Sequence, residues 1–182
     1  MLSALARLLS KVRIMLVPYL VAGGGALVLA AAGGLMTDIG PWYRNLKKPA
    51  LQPPDWLFGP AWTLILGAAA ASAALAWQAA PDAATQQQVV TVFLANAVLH
   101  FLWSPLFFKF KRPDWALAEM LPFWLSILLL IITVAPLSKT AAWLLVPYIV
   151  WVSFAACLNY AIVRLNKPFG KAAAKSLRRE GA

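Results

Sequence analysis

Five stretches of about twenty mostly apolar residues recur along the chain, at 14–36, 57–77, 89–108, 115–135 and 141–163. A helix rising 1.5 Å per residue needs about 20 such residues to cross the hydrocarbon core of a bilayer, so each stretch predicts a spanning helix. Strands of a membrane barrel would be about 10 residues long and alternate in polarity, and no alternation of that kind is present. The pattern predicts an all-α membrane protein, a five-transmembrane-helix bundle. A basic segment (1–13) precedes the helical domain (14–166), a loop (37–56) joins the first two helices, and a basic tail (167–182) follows.

The joining loop departs most from an ordinary connection, which is about 4–6 residues long. The run 42–62 packs aromatic rings, prolines and cations together, and Pro41, Pro49, Pro53, Pro54 and Pro60 each fix a backbone φ angle. A stiff aromatic loop at a membrane surface reads as a lid or a docking surface.

Composition supports the membrane class. The chain is 62% hydrophobic with a mean hydropathy of +0.74, and only 12% of its residues are charged, against about 25% in a soluble domain. The net charge of +10 does not point to nucleic acid, because the cations sit in short loops and in the tail. Four of them, Arg7, Lys11, Arg13 and Lys139, fall on one side of the five-helix topology. The other twelve fall on the side holding the first loop and the tail, which carries Arg164, Lys167, Lys171, Lys175, Arg178 and Arg179. The positive-inside rule places that second side in the cytoplasm and the N-terminus outside, for insertion in an inner or equivalent membrane. The tail could also meet anionic lipid head groups. The first apolar run is longer than the 7–15 residues of a signal peptide core, so it reads as a span. Its Ala22, Ala26, Ala30 and Gly34, four residues apart, predict tight helix packing, with a ligand-facing surface as the alternative.

Candidate chemistry is sparse. A single Cys157 excludes an intramolecular disulfide and a cysteine metal cluster, and a single His100 excludes every two-histidine motif. No spacing singles out a nucleophile with its base or a pair of carboxylates. No catalytic residue, metal site or obligatory cofactor is predicted, and the chain does not read as an enzyme. Asn96, His100, Trp103 and Phe107 share one face of the third helix, and Tyr148, Trp151, Ala155, Asn159 and Ile162 share one face of the fifth. With Trp62 and Leu66 of the second helix, these faces could converge on an aromatic cavity; the alternative is core packing, with Trp115 and Trp143 in the interfacial belt. His100 reads as a neutral imidazole hydrogen-bonded between helices, with haem axial ligation or proton relay as sharper alternatives. Glu119, the one acid well inside a span, is expected near the interface, paired with Lys111 or Arg112. A proton-coupled role would also need a membrane carboxylate.

The run containing Trp42-Tyr43, Leu46, Lys48-Pro49, Pro53-Pro54, Trp56, Pro60 and Trp62 resembles the translocator protein family, also called tryptophan-rich sensory proteins or peripheral-type benzodiazepine receptors. The block 102–108, the block 146–151 continuing to Leu158-Asn159-Tyr160, and the block 115–119 resemble the same family, and the likeness extends over 17–166. It implies a five-helix bundle, often a homodimer, with a cavity beneath the first loop. That cavity would take porphyrins such as protoporphyrin IX, haem, isoquinoline carboxamides, benzodiazepines and, in some members, sterols. It implies Tyr43 and Pro53 as lid contacts, and Trp62, Leu66, His100, Trp103, Trp151, Ala155 and Leu158 as pocket residues. Leu158, Tyr160 and Arg164 match a sterol pattern. The implied function is a membrane receptor or transport-related protein. Light-dependent porphyrin degradation and a structural or regulatory lipid-binding role are the alternatives. Two positions depart from the family pattern: His100 stands where Asn is usual, and Leu51 where Trp is frequent.

Overall fold

The computed structural model describes the backbone of residues 2–170, with the side chains of Val12 and of residues 15–170. The predicted tail from residue 171 onward and the side chains of Arg7, Lys11 and Arg13 lie outside the described residues. The architecture is all-helical, with five helices long and apolar enough to cross a membrane. Helix α1 spans Leu2–Met36, the short α2 spans Pro41–Asn45, α3 spans Asp55–Ala79 and α4 spans Ala83–Ser104. Helix α5 spans Pro113–Val134, α6 Lys139–Leu144 and α7 Val146–Asn166.

Several predicted boundaries shift, each for a local reason. Helix α1 begins at Leu2 and runs 35 residues, roughly 52 Å at 1.5 Å per residue; the part apolar enough to span begins at Met15, so the helix carries the basic stretch directly into the first span. Pro18 inside it cannot donate to the preceding turn, and Gln78 of α3 donates to the nearby Met15 carbonyl at 2.6 Å. The 37–56 loop contains α2, started by Pro41, where a missing N–H costs nothing. The predicted fifth helix is broken at Leu145, because Pro147 offers no N–H to the Trp143 carbonyl. Asp82 caps α4 by accepting from the Thr85 N–H at 2.7 Å, and Ser138 caps α6 from the Ala141 N–H. The bond from Thr85 holds the Asp82 carboxyl below its ordinary range.

At its end α4 widens into a π-helical turn over Pro105–Lys109, closed by the Phe110 N–H on the Pro105 carbonyl at 2.9 Å. Pro105 cannot make the α-type bond, and a π turn accommodates the loss. The wider turn brings the consecutive Phe107 and Phe108 both to the interior.

Helix α3 packs against α1 on one side and α4 and α6 on the other, while α5 packs against both α4 and α7. Small residues let α3 approach its neighbours: Ala69, Ser72 and Ala76 are buried beside Leu130, Val134, Ala141 and Leu145. The Ser72 hydroxyl donates to the Ala141 carbonyl at 2.8 Å. Helix α1 packs against α3 as expected, though not through its glycines. A Cβ added at Gly23, Gly24, Gly25, Gly33 or Gly34 would meet nothing within 4 Å. Pro18 is the one buried residue described in the spanning part of α1, and Ala30, Gly33 and Gly34 border a cavity. Large apolar side chains such as Leu20, Leu64, Leu94, Ile132 and Val150 point outward, a surface suited to the hydrocarbon core of a bilayer. Trp115 and Trp143 are also exposed, and the Arg112 guanidinium lies over the Trp115 ring at 4.1 Å.

Candidate functional site

A cavity of about 630 Å³ opens between α1, α3, α4, α5 and α7, beneath the 37–54 loop. Small-molecule sites run from about 300 to 1,000 Å³ and are mainly apolar with a few placed polar groups. Of the nine predicted ligand contacts, Tyr43, Trp62, Leu66, His100, Trp103, Trp151, Ala155 and Leu158 all border this one space. Pro53 is half-buried in the loop and does not border the cavity. It follows Gln52, whose side chain takes that place.

The walls are aromatic and interlocked. Trp62 meets His100, Tyr148 and Trp151 edge to face, at centroid distances of 4.6, 6.1 and 6.3 Å. Trp103 stacks on Phe107 at 5.0 Å, and Phe58 meets Trp151 at 5.7 Å. The π turn therefore carries the cavity wall up to the loop, where Phe108 meets Tyr43 at 5.6 Å and Phe107 meets Trp42 at 6.0 Å.

The loop is fastened by polar groups of which the sequence singled out only Tyr43. The Tyr43 hydroxyl donates to Asp55 Oδ1 at 2.9 Å and accepts from Gln52 Nε2 at 2.8 Å. Lys48 Nζ lies 3.8 Å from the Tyr43 ring centre. Burial, and then the bond to the Asp55 carboxylate, raise the Tyr43 pKa above the ordinary phenol range, so its hydroxyl keeps the proton it donates. Asn166 at the end of α7 grips Lys47 from both sides: Oδ1 accepts from the Lys47 N–H and Nδ2 donates to the Lys47 carbonyl, each at 2.8 Å. The only sequence clue to these ties was a Tyr, a Gln and an Asp within a proline-rich loop; Asn166 is 119 residues away from its partner. Asn166→Ala removes two such bonds, each contributing about 1 kcal/mol. Hydrogen exchange at the Lys47 amide is expected to speed up by about tenfold or more, with exchange in α5 unchanged. An unchanged Lys47 rate would show that the clasp does not hold the loop.

Below the aromatic wall lies a polar chain. Asn96 does not border the cavity; it is buried, with Nδ2 donating to Ser126 Oγ at 2.8 Å and Oδ1 accepting from the Tyr148 hydroxyl at 3.1 Å. Tyr148 stands behind the wall, and its oxygen is 3.1 Å from His100 Nδ1. Asn159 borders the cavity and also ties α7 to the first turn of α5, with its amide bonded to the Pro113 carbonyl and the Leu117 N–H at 3.1 Å each.

Glu119 is not paired as predicted. Arg112 is committed to Asp114 at the head of α5, and both Glu119 oxygens are buried with no hydrogen-bond partner among the described residues. It lies more than a turn further into the helix than Asp114, away from the basic loop. Trp151 Nε1 and Gln52 Oε1 are likewise buried and unpartnered, and both residues border the cavity. The predicted sterol pattern divides between two surfaces. Leu158 is buried at the cavity, whereas Tyr160 and Arg164 are exposed outside, with the guanidinium 6.0 Å from the Tyr160 ring centre. The two-residue step from 158 to 160 turns the helix by more than half a revolution.

Five spanning helices around an aromatic cavity, roofed by a loop that polar bonds fasten to α3 and α7, define an integral multi-pass membrane protein with an intrabundle pocket. The chain belongs to the TspO/MBR family, whose model matches residues 16–165. It is 36% identical over 142 residues to the tryptophan-rich protein TspO of Archaeoglobus fulgidus, covering 77% of this chain and 91% of that one. It is 33% identical over 143 residues to the tryptophan-rich sensory protein of Cereibacter sphaeroides, covering 76% and 88%. It is 32% identical over 136 residues to the human translocator protein, covering 69% and 75%.

Proposed function

We propose that this protein is a membrane receptor, related to transport, for porphyrins and similar flat hydrophobic ligands, held in the cavity under the 37–54 loop. The observation that carries this reading is the wall of Trp62, Trp103 and Trp151 around about 630 Å³ of space. Indole rings offer large apolar faces and one N–H donor each, which suits a flat conjugated ligand with few polar atoms. Family membership supports the reading, and two of the relatives carry names that speak of translocation and of sensing. The excess of cations on the loop side supports a cytoplasmic mouth for the pocket.

Titrating the purified protein with protoporphyrin IX, while following tryptophan emission, tests the proposal. Quenching is expected to saturate near one ligand per chain. Quenching that rises linearly, as in empty micelles, would remove the receptor reading.

A further inference from the structure

The lone histidine of the chain is oriented by a chain of hydrogen bonds that runs in one direction. The Ser126 hydroxyl donates to the Phe123 carbonyl at 2.7 Å. Having spent its one proton there, it accepts from Asn96 Nδ2. That turns Asn96 Oδ1 toward Tyr148, whose hydroxyl proton goes to it. The Tyr148 oxygen can then only accept from His100, so the imidazole proton sits on Nδ1. Each hydroxyl has one proton to give, and the sequence of donors leaves no second arrangement of the same bonds. The imidazole that results is neutral and carries a bare lone pair on Nε2.

That lone pair has a place to act. His100 borders the cavity, and Nε2 has no hydrogen-bond partner among the described residues. With Nδ1 engaged by Tyr148, Nε2 is the ring nitrogen left to meet a molecule in that space. The Trp62 ring stands at 90° to the imidazole plane, 4.6 Å away between centroids. A flat ligand stacked parallel to Trp62 would lie at a right angle to the imidazole, the relative orientation a ring nitrogen needs to meet the centre of a planar macrocycle.

We propose that His100 is the specificity-determining residue of this pocket. Tyr148 and Asn96 act as positioning residues that fix it as the Nδ1–H tautomer and present Nε2 as a Lewis base to the metal centre of a metallated planar ligand such as ferric porphyrin. The inference rests on the porphyrin-pocket reading and narrows it. In the step itself Nε2 donates its lone pair to the metal and a water or anion leaves the same coordination position. No electron is transferred and no proton moves, because Nδ1 already carries the only one. Asn in this position would offer a weakly basic amide oxygen and could not substitute as a comparable ligand.

Because the chain has one histidine, labelling with 15N-histidine reports on His100 alone. The full-length protein is expected to show a protonated Nδ1 and an unprotonated Nε2. A protonated Nε2 would overturn the proposal without any variant being needed. In the ligand arm, haemin and metal-free protoporphyrin IX are titrated into wild type and His100→Asn. Wild type is expected to give the absorption spectrum of a histidine-ligated haem, lost in His100→Asn, with haemin affinity falling about tenfold or more and that for protoporphyrin IX changing by less than about threefold. Identical haemin spectra in the two proteins, with saturable quenching retained, would overturn the assignment of His100 and leave the porphyrin pocket standing. Absence of saturable quenching by either pigment in wild type would overturn both.

Discussion

Trp62→Ala should be the most damaging single change in the cavity wall. Trp62 joins three rings edge to face, those of His100, Tyr148 and Trp151. Truncating a large aromatic in a packed region costs about 3 kcal/mol or more, and each lost aromatic pair contributes about 0.5–1.5 kcal/mol beyond its buried area. The effect on a stacked ligand is expected to match that of a central hot-spot residue, about 2 kcal/mol, or roughly 30-fold in Kd. Parallel unfolding and protoporphyrin titrations of the variant in micelles check both numbers. Wild-type affinity in Trp62→Ala would mean that the ligand does not lie against this wall.

Tyr148→Phe should have the second largest effect, although it removes one atom and keeps the ring. Tyr148 is 1% exposed, and its oxygen serves Asn96 Oδ1 and His100 Nδ1 at once. Removing it leaves an acceptor and a donor without partners. Interhelical hydrogen bonds in membranes contribute modestly, about 0.6 kcal/mol on average. A buried polar group left unsatisfied, however, costs about 1–3 kcal/mol. With two such groups, a loss of about 2 kcal/mol is expected. Tyr160→Phe is the control: Tyr160 is exposed, and its loss is expected within about 0.5 kcal/mol. Equal stability of the two variants, measured by chemical unfolding in micelles, would show that the polar chain under the cavity is not a structural element.

The spanning helices were legible in the sequence because lipid imposes one rule along their whole length: a span is a run of about 20 predominantly apolar residues. Arithmetic along a helix also carried far. The four- and three-residue steps that group His100, Trp103 and Phe107, and those that group Trp151, Ala155 and Asn159, place all six at the cavity. The errors came where a backbone hydrogen bond, rather than polarity, decided the shape. Pro105 opens a π turn that places both Phe107 and Phe108 inside, which a uniform helical period does not anticipate. Pro147 splits the last span at Leu145. Small residues on α1 read as close-packing signals, and α1 does pack on α3, yet Gly33 and Gly34 have room where a Cβ would stand; small size permits contact at a given residue without requiring it.

The polar ties were the least legible part. Asn166 finds Lys47 across most of the chain, and Tyr148 finds Asn96 and His100. Such pairs leave no periodic trace, because each depends on which helices are neighbours in space. Glu119 shows the opposite failure: a salt bridge expected from proximity in sequence was pre-empted, since Arg112 is held by Asp114 only two residues away.

The central claim is that the space bounded by Trp62, Trp103 and Trp151 is where the ligand sits. Ala155 borders that space from α7, and a phenyl ring there would project into open volume rather than into packed core. The most direct test is protoporphyrin IX titration of wild type against Ala155→Phe, with thermal stability measured on both. Saturable quenching near one ligand per chain is expected in wild type, and at least about a tenfold loss of affinity in a variant of undiminished stability. Equal binding by a stable Ala155→Phe protein would place the ligand elsewhere and contradict the central claim.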